Sequence, residues 1–379
     1  MKKHLGQYFT TNVLLQEKVL QFIMNNPETI LEPSCGRGDL IQYIQTHKDV
    51  SFDAIELDET LDFVVEQSTI TFADFLEYPF TNKYKTIIGN PPYVKIKSSR
   101  NLYLLFVEKC IDLLEDEGEL IFIVPSDIFE LTSAKKTNQK IVENGRLTHI
   151  FRPNLENLFE GASIDVVIFR YIKTESKSDV VRYNDKDRYC RYNNGLIQFT
   201  DTKNEFALTP LEEFFDVYVG IVSGRESAFK NEEYGNIDVI TNEDVIEKYI
   251  YITSFPTEDE ELNNYMLEYK EDLLSRRIRK FNKKNWFEWG ALRNIKKIED
   301  NIGEDCIYVK TITRSETVAF VGKVSYFNGN LMILIPIVNI DLNDIVEYIN
   351  SLRSEYTFSG RFKITHKQVS SILLEYVLV

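Results

Sequence analysis

Short apolar runs of strand length alternate with amphipathic stretches along residues 12–171. The runs at 29–32, 52–57, 70–75, 86–89 and 120–124 predict strands, and apolar residues at helical spacing predict helices over 12–24, 39–46 and 102–114. Two later runs, 147–151 and 165–171, predict further strands. Because strands that alternate with helices are typical of βαβ units, we expect an α/β domain built on a doubly wound, mostly parallel sheet.

The pattern changes after Tyr171. Polar residues dominate 173–203, and the α/β alternation does not resume. The remainder combines an acidic loop at 258–261, β-rich stretches at 317–327 and 331–337, and a helical stretch at 342–352. A chain of 379 residues also exceeds one ordinary hydrophobic core. We therefore predict two domains, 1–205 and 210–379, of which the second is α+β.

The composition is that of a globular protein, with 43% hydrophobic and 27% charged residues. No apolar run approaches the ~20 residues that span a bilayer, and the N-terminus shows no apolar signal region. The four cysteines are far apart, with no Cys-x-x-Cys pair, and four scattered histidines form no metal motif. We expect a cytoplasmic protein without membrane segment, disulfide framework or bound metal.

Asn90-Pro91-Pro92-Tyr93 follows the apolar run that ends at Gly89. Neither proline can donate to a strand ladder, so the motif predicts a rigid loop at the carboxyl end of a buried strand. Open α/β sheets place ligands at that edge. The amide and the aromatic ring could together hold a planar amino group and stack on its ring, whereas the alternative is a surface turn.

A second motif, Glu32-Pro33-Ser34-Cys35-Gly36-Arg37-Gly38, stands between a predicted strand and a helix. Its glycines allow close backbone approach to a ligand, and Glu56, 18 residues after Gly38, could accept both ribose hydroxyls. Asp74 and Phe75 could bind and pack on an adenine. The missing third glycine argues against a dinucleotide and favours a nucleoside without phosphates, such as S-adenosylmethionine. The alternatives are an ordinary βα turn and, for Asp74, a helix cap.

These motifs, in this order, resemble the gamma, TaqI-like class of N6-adenine DNA methyltransferases of type II restriction–modification. Gly6-Gln7-Tyr8-Phe9-Thr10, the segment from Asn101 to Phe106, and Asn157-Leu158-Phe159 resemble further motifs of that class, although Thr11 stands where the family often has proline. The resemblance implies the Rossmann-like fold of S-adenosylmethionine-dependent methyltransferases. It implies catalytic roles for Asn90, Pro91, Pro92, Tyr93 and Phe159, and cofactor contacts for Thr10, Glu32, Ser34, Cys35, Gly36, Glu56, Asp74, Phe75, Asn90 and Phe106.

The residues also suggest a chemistry. An adenine N6 amino group is a poor nucleophile because its lone pair is delocalised into the ring. The side-chain oxygen of Asn90 and the carbonyl of Pro91 could accept its two hydrogens and direct the lone pair at a methyl donor. The target base must leave the duplex to reach such a pocket. Tyr93 and Phe159 could then sandwich it, since stacking contributes roughly 1–3 kcal/mol per base.

Although the net charge of the chain is −15, basic residues are concentrated in one region. Nine basic residues against one acid stand between 276 and 297, interleaved with aromatic residues, which favours a phosphate-contacting surface over a solvated helix face. The stretch 359–364 resembles one near the end of the recognition domains of the family, where a contact with DNA and a structural role are the two alternatives. The predicted DNA-binding residues are Arg276, Arg277, Arg279, Lys280, Lys283, Lys284, Trp286, Arg293, Arg361 and Lys363.

The sequence thus predicts a site-specific adenine methyltransferase of prokaryotic or viral origin whose partner is double-stranded DNA with a short recognition site. Its second domain would read the target. We expect a functional link to a cognate restriction endonuclease without a required complex, no fused nuclease, and a monomer. Two alternatives stay open: methylation of a protein glutamine or of RNA adenine, and a catalytically inactive DNA-binding specificity subunit.

Overall fold

The computed structural model describes residues 8–95, 100–203 and 208–375. The chain divides into two compact units, residues 1–205 and 206–379. The first unit has the helices α1 (Val13–Phe22), α2 (Asp39–Gln45), α3 (Leu102–Leu113) and α4 (Lys135–Asn144). Its strands are β1 (Thr29–Glu32), β2 (Ser51–Glu56), β3 (Ile70–Phe72), β4 (Tyr84–Gly89), β5 (Leu114–Pro125), β6 (Gly145–Phe151), β7 (Val166–Lys173), β8 (Val180–Tyr183), β9 (Lys186–Asn193) and β10 (Leu196–Thr200).

These ten strands form one sheet in the order β10-β9-β8-β6-β7-β5-β4-β1-β2-β3. The run β5-β4-β1-β2-β3 is parallel throughout, while β7 is antiparallel to both of its neighbours, β5 and β6. The strand order reverses direction between β1 and β4, which places a topological switch point there. The predicted doubly wound α/β fold is therefore confirmed.

The centre of the sheet is apolar because both of its faces are covered. Every residue from Leu120 to Val124 in β5 is buried, and α3 packs Leu104, Val107 and Ile111 into the same core. Full burial of each such aliphatic side chain contributes roughly 1.5–3 kcal/mol relative to exposure. The rigid centre fixes the positions at which β1, β2 and β4 end.

Two parts of the first unit differ from the sequence prediction. The polar stretch after residue 173 continues the sheet as the antiparallel strands β8, β9 and β10, with β8 parallel to β6. Helix α4 was not predicted, because two of its three buried positions are the polar residues Thr137 and Asn138. The Asn138 amide donates to the carbonyls of Phe129 and Gly195 at 2.8 and 3.0 Å, so hydrogen bonds replace the expected apolar contacts.

The second unit mixes helices and strands, as predicted for an α+β domain. Its helices are α5 (Glu226–Phe229), α6 (Glu260–Glu268), α7 (Lys270–Leu274), α8 (Ile295–Glu299), α9 (Leu342–Ser351) and α10 (His366–Ser370). Its strands are β11 (Leu208–Pro210), β12 (Phe215–Val219), β13 (Ile237–Asn242), β14 (Val245–Tyr249), β15 (Asp305–Lys310), β16 (Ile312–Thr313), β17 (Ala319–Lys323), β18 (Tyr326–Phe327), β19 (Leu331–Pro336), β20 (Thr357–Phe358), β21 (Arg361–Lys363) and β22 (Leu373–Glu375).

The largest sheet of this unit has the order β12-β19-β15-β17, and its pairs are antiparallel. The acidic run 258–261, which was predicted to be a loop, instead contains a helix start. Asp259 caps α6 by accepting from the backbone N–H groups of Glu261 and Leu262, and acids in a first turn favour the positive end of a helix. Across the described ranges, we find no helix with the length and apolarity to cross a membrane.

Candidate functional site

The carboxyl ends of β1, β2 and β4 lie side by side, because these strands are adjacent and parallel. Glu32 ends β1, Glu56 ends β2, and Asn90 directly follows β4. Two sequence motifs separated by more than fifty residues are thereby brought to one edge of the sheet. This edge is where ligands bind in open α/β folds.

The glycine turn after β1 is bound to the end of β2. The Cys35 N–H donates to the Ile55 carbonyl at 2.9 Å, and the Gly36 N–H donates to Oε2 of Glu56 at 2.8 Å. Gly36 and Gly38 have φ values of 56° and 88°, in the left-handed region where a side chain is strained. A Cβ on Gly38 would also lie 2.5 Å from a Val65 methyl group. The turn therefore requires glycine at this position.

The Glu56 carboxylate has one fixed orientation. Its Oε1 accepts from the backbone N–H groups of Leu57 and Asp58, both at 2.9 Å, in addition to the Gly36 bond on Oε2. A carboxylate has about four acceptor positions, so these three bonds leave about one for a ligand. The predicted contact with a ribose stays a prediction, with room for one strong hydrogen bond.

Glu32 and Ser34 present buried polar atoms that lack partners. Glu32 is only 2% exposed, and within the described ranges neither its Oε2 nor the Ser34 hydroxyl has a hydrogen-bond partner. Burial, and then the charges of Glu56 and Asp39, raise the pKa of Glu32 well above its usual value. Burial of a carboxylate is costly unless a cation or donor compensates it. These atoms therefore fit a ligand that carries a positive charge and hydrogen-bond donors, as the amino-acid part of S-adenosylmethionine does.

Cys35, within the same motif, is buried, and burial raises the pKa of its thiol. The protonated thiol is a weak nucleophile. The side chain thus packs in the turn, and its predicted cofactor contact stays a prediction.

The segment after β3 places Asp74 at the surface and Phe75 in the core. Oδ1 of Asp74 accepts from the Leu76 N–H at 2.9 Å, which forms a local turn. The rings of Phe75 and Phe106 are both buried and lie 4.8 Å apart, centre to centre. The structure therefore brings together two phenylalanines that are far apart in the sequence and that were both predicted to contact the cofactor. Their contact with an adenine stays a prediction.

Asn90 has hydrogen bonds at both ends of its amide. Its Nδ2 donates to the Tyr8 carbonyl at 2.7 Å and to the Thr10 hydroxyl at 3.2 Å, while Oδ1 accepts from the Tyr93 hydroxyl at 2.6 Å. The Tyr93 hydroxyl also lies 3.0 Å from the Ile123 carbonyl. Thr10 thus orients Asn90, and Gly6 and Gln7 of the same motif lie outside the described residues. In this conformation a side chain of the protein occupies the acceptor that was predicted for a substrate amino group.

The ring of Tyr93, whose hydroxyl binds this amide, lies in a cluster of three aromatic rings. The Tyr93 ring lies 5.4 Å from Tyr8 and 6.3 Å from Phe159, and Tyr8 lies 5.6 Å from Phe159. Phe159 is 3% exposed, and its plane is at 85° to that of Tyr93. The predicted pair is therefore brought together, but perpendicular rings are not the parallel walls of a base sandwich. Tyr8 was missed by sequence reasoning, although it belongs to a motif that was recognised.

The loop between β6 and β7 carries Phe159, and hydrogen bonds connect its two ends. Arg152 donates to Asp165 through Nε at 3.2 Å and Nη2 at 2.5 Å, and the Ser126 hydroxyl donates to the same carboxylate at 2.7 Å. A bidentate arginine–carboxylate pair is directional as well as strong. These residues fix the two ends of the loop, and no sequence motif had marked Arg152 or Ser126.

The basic region of the second unit is exposed at most of its predicted positions. Exposed side chains from the predicted set are Arg277, Arg279, Lys280, Lys283, Lys284, Arg293, Arg361 and Lys363. Arg279 also forms a 2.6 Å ion pair with Glu288. Arg361 and Lys363 flank the buried Phe362 on β21 and therefore share one exposed face. The cationic surface is present, and its contact with DNA stays a prediction.

Two predicted DNA-binding residues are corrected by the structure. Trp286 is 2% exposed and packs in the core of the second unit with Trp289 and Phe287. Arg276 is 9% exposed, and its guanidinium donates to the carbonyls of Leu273, Ser223, Trp286 and Glu288 at 2.6–2.9 Å. Burial lowers the pKa of Arg276 to about 10, so it stays charged at neutral pH. Both side chains support the surface from inside.

Comparisons with known proteins agree with the motifs. Residues 37–159 match the model of the Eco57I restriction-modification methylase family. The chain is 30% identical over 203 residues to the type II methyltransferase M.HincII of Haemophilus influenzae and 27% identical over 216 residues to M.AccI of Acinetobacter calcoaceticus. These matches cover 47% and 48% of this chain, and 39% of each relative. The resemblance to type II restriction–modification DNA methyltransferases is thus confirmed.

The fold has a counterpart among solved structures. The type IIL restriction-modification enzyme MmeI, solved in complex with DNA, matches 95% of this chain and 63% of its own chain, with a TM-score of 0.57 and 10% identity. At that identity the match shows the fold alone. The chain also spans about two fifths of the length of the curated relatives it matches.

Proposed function

We propose that this protein is a site-specific DNA adenine-N6 methyltransferase that uses S-adenosylmethionine. The observation that carries the proposal is the position of the Asn90 amide. It lies at the sheet edge that also presents polar atoms of Glu32 and Ser34 that have no partner among the described residues. Its own N–H groups are held by the Tyr8 carbonyl and the Thr10 hydroxyl. An acceptor oxygen in a fixed orientation therefore stands beside a site suited to a cationic ligand.

The residues have separate tasks in this reaction. S-adenosylmethionine supplies an electrophilic methyl group, so that a nitrogen–carbon bond forms while the sulfur keeps the electron pair of the broken bond. Oδ1 of Asn90 and the Pro91 carbonyl accept the two hydrogens of the adenine amino group. The nitrogen lone pair is thereby directed at the methyl carbon, and the excess proton leaves the amine after transfer. Alignment of this kind contributes much of the rate in group transfer.

The donor would lie across the ends of β1 and β2. Glu32 and Ser34 would hold its amino-acid part, Glu56 would accept one ribose hydroxyl, and Asp74 would accept from the adenine amino group. Each assignment uses an oxygen that, within the part of the chain that is described, has no hydrogen-bond partner or still has an acceptor position left. Burial of Glu32 makes its interaction with a cation stronger than it would be at the surface.

DNA is the proposed substrate because the second unit exposes a dense basic surface. In addition, residues 37–159 match a restriction-modification methylase family, and relatives named as type II methyltransferases match about half of the chain. The target adenine would be flipped out of the duplex and stacked on Tyr93. A cognate restriction endonuclease would act on the same site, and the protein would act as a cytoplasmic monomer.

The test measures transfer of a labelled methyl group to unmodified duplex DNA, RNA and protein. We expect incorporation into duplex DNA, and sequencing of a methylated plasmid library should show one short motif with N6-methyladenine. Asn90→Ala should abolish transfer and leave DNA binding largely intact. Asn144→Ala is the control and should retain transfer, because it alters an exposed amide that donates to the Lys140 carbonyl within its own helix. Incorporation into RNA or protein alone would favour the first alternative, and absence of cofactor binding would favour an inactive specificity subunit.

A further inference from the structure

Lys109 stands on α3 with its ammonium directed at the turn that follows β3. Its Nζ donates to the carbonyls of Phe75, Leu76 and Tyr78 at 2.7, 2.9 and 2.9 Å. An ammonium has three hydrogens, so these bonds use all of its donor capacity. Nζ also lies 5.1 Å from the centre of the Phe75 ring. One side chain thus gathers three carbonyls of a single turn.

The same turn carries Asp74. Its carbonyl accepts from the N–H groups of Glu77 and Tyr78 at 3.1 and 2.9 Å, and its Oδ1 accepts from the Leu76 N–H. Among the described residues, Oδ2 of Asp74 has no hydrogen bond that would compete with a ligand. The direction of this oxygen depends on the conformation of the turn, since the side chain is short and bonded to the turn backbone.

Three carbonyl dipoles that converge on one point repel each other unless a cation lies between them. Without the Lys109 ammonium the carbonyls of Phe75, Leu76 and Tyr78 would turn towards water, and the Asp74 carboxylate would change direction with them. The β3 end of the turn is fixed separately, because the Ala73 N–H donates to the Glu56 carbonyl at 3.0 Å. The effect of Lys109 is therefore expected beyond residue 73, at Asp74 itself.

We infer that Lys109 is a positioning residue that aims Asp74 at the exocyclic amine of the cofactor's adenine and so sets the selectivity for a 6-amino purine. The inference rests on the proposed function. The Asp74 carboxylate accepts a hydrogen bond from a 6-amino group. The oxygen of a 6-oxo purine has no hydrogen to donate, and the carboxylate repels its partial negative charge. A well-aimed Asp74 therefore discriminates, whereas a mobile one binds both purines with similar affinity.

The test compares the affinity of the full chain for S-adenosylhomocysteine and for its 6-oxo analogue, S-inosylhomocysteine, by calorimetry. A hydrogen bond to a charged group predicts about ten- to hundredfold preference for the 6-amino ligand in the wild type. Lys109→Met should reduce that preference to about threefold or less, and Lys109→Arg should restore part of it. In methyl-transfer assays Lys109→Met should raise KM for the donor and change kcat little.

Lys83→Met is the matched control, because the Lys83 ammonium also donates to a backbone carbonyl in this unit, but to that of Asp112 and not to a carbonyl of the turn after β3. It should keep the wild-type preference. Lys109→Gln, which retains donors without charge, serves if the methionine variant does not fold. An unchanged preference in a folded Lys109 variant, or a wild type that binds both ligands equally, overturns the inference. Failure of the wild type to bind either ligand overturns it together with the proposed function.

Discussion

Tyr93→Phe is expected to strengthen binding of the target DNA. In the free protein the Tyr93 hydroxyl donates to Oδ1 of Asn90 at 2.6 Å, which is the acceptor that the proposed reaction requires for the adenine amino group. The hydroxyl must give up this bond before the base can enter. A phenylalanine keeps the ring for stacking and has no hydroxyl to displace.

The magnitude follows from the bond that is lost. A neutral hydrogen bond contributes about 0.5–1.5 kcal/mol net, and the Asn90 oxygen regains a partner when the base binds. Because about 1.4 kcal/mol corresponds to a tenfold change in affinity, Tyr93→Phe should bind the target duplex about two- to twelvefold more tightly. Tyr93→Ala removes the stacking surface as well, and the loss of roughly 1–3 kcal/mol should make binding weaker than in the wild type.

The assay is fluorescence anisotropy with a duplex that contains the methylated motif, and with a duplex in which that motif is scrambled. Only the target complex should become tighter in Tyr93→Phe. Tyr8→Phe is the matched control, since it removes a hydroxyl from the neighbouring ring without touching the Asn90 side-chain oxygen. Target binding by Tyr93→Phe that equals or falls below that of the wild type would refute the reasoning.

Three further outcomes are expected from the charges. Because the folded protein raises the pKa of Glu32, this side chain stabilises the fold fully below its unfolded pKa of about 4.3, and that contribution is lost as pH rises through the raised pKa. Glu32→Gln should therefore flatten that part of the curve of Tm against pH. The same variant should weaken cofactor binding. Arg276→Met should lower stability by about 3 kcal/mol or more in urea titrations, because four carbonyls lose a charged donor. Lys283→Ala with Lys284→Ala should leave Tm unchanged, weaken DNA binding, and reduce the slope of log affinity against log salt by about 0.9 per lost phosphate contact.

Much of the first unit was predictable because its sheet is covered on both faces. Strands buried in this way read as continuous apolar runs, and motifs at their carboxyl ends must meet at one edge. The sequence could thus place Glu32, Glu56 and Asn90 together. Helix α4 escaped prediction because its buried Asn138 donates to the carbonyls of Phe129 and Gly195, outside the helix. A buried face that is held by hydrogen bonds gives no apolar period to detect.

The basic region shows a different limit. A count of charged and aromatic residues does not tell which way each side chain points. Arg276 and Trp286 were grouped with their exposed neighbours, yet both are buried. The Arg276 guanidinium donates to backbone carbonyls, including that of Trp286, and the Trp286 ring packs in the core. A buried arginine beside aromatic residues and an exposed phosphate-binding arginine look the same in sequence. Only the folded structure shows which of these side chains are buried and which are exposed to a partner.

The two halves of the candidate site differ in whether their polar side chains have hydrogen-bond partners in the free protein. On the donor side Glu32 and Ser34 keep buried polar atoms without partners among the described residues, so that half is arranged for a ligand at a cost in stability. On the base side Asn90 is satisfied by Tyr93, and the aromatic rings contact each other. The motif residues Glu32 and Ser34 already present buried polar atoms without partners among the described residues, so their type in the sequence agrees with their state in the free protein. In the proposed reaction the base side would have to rearrange when the base binds. The sequence could therefore indicate the type of its residues, whereas their present contacts are visible only in the structure.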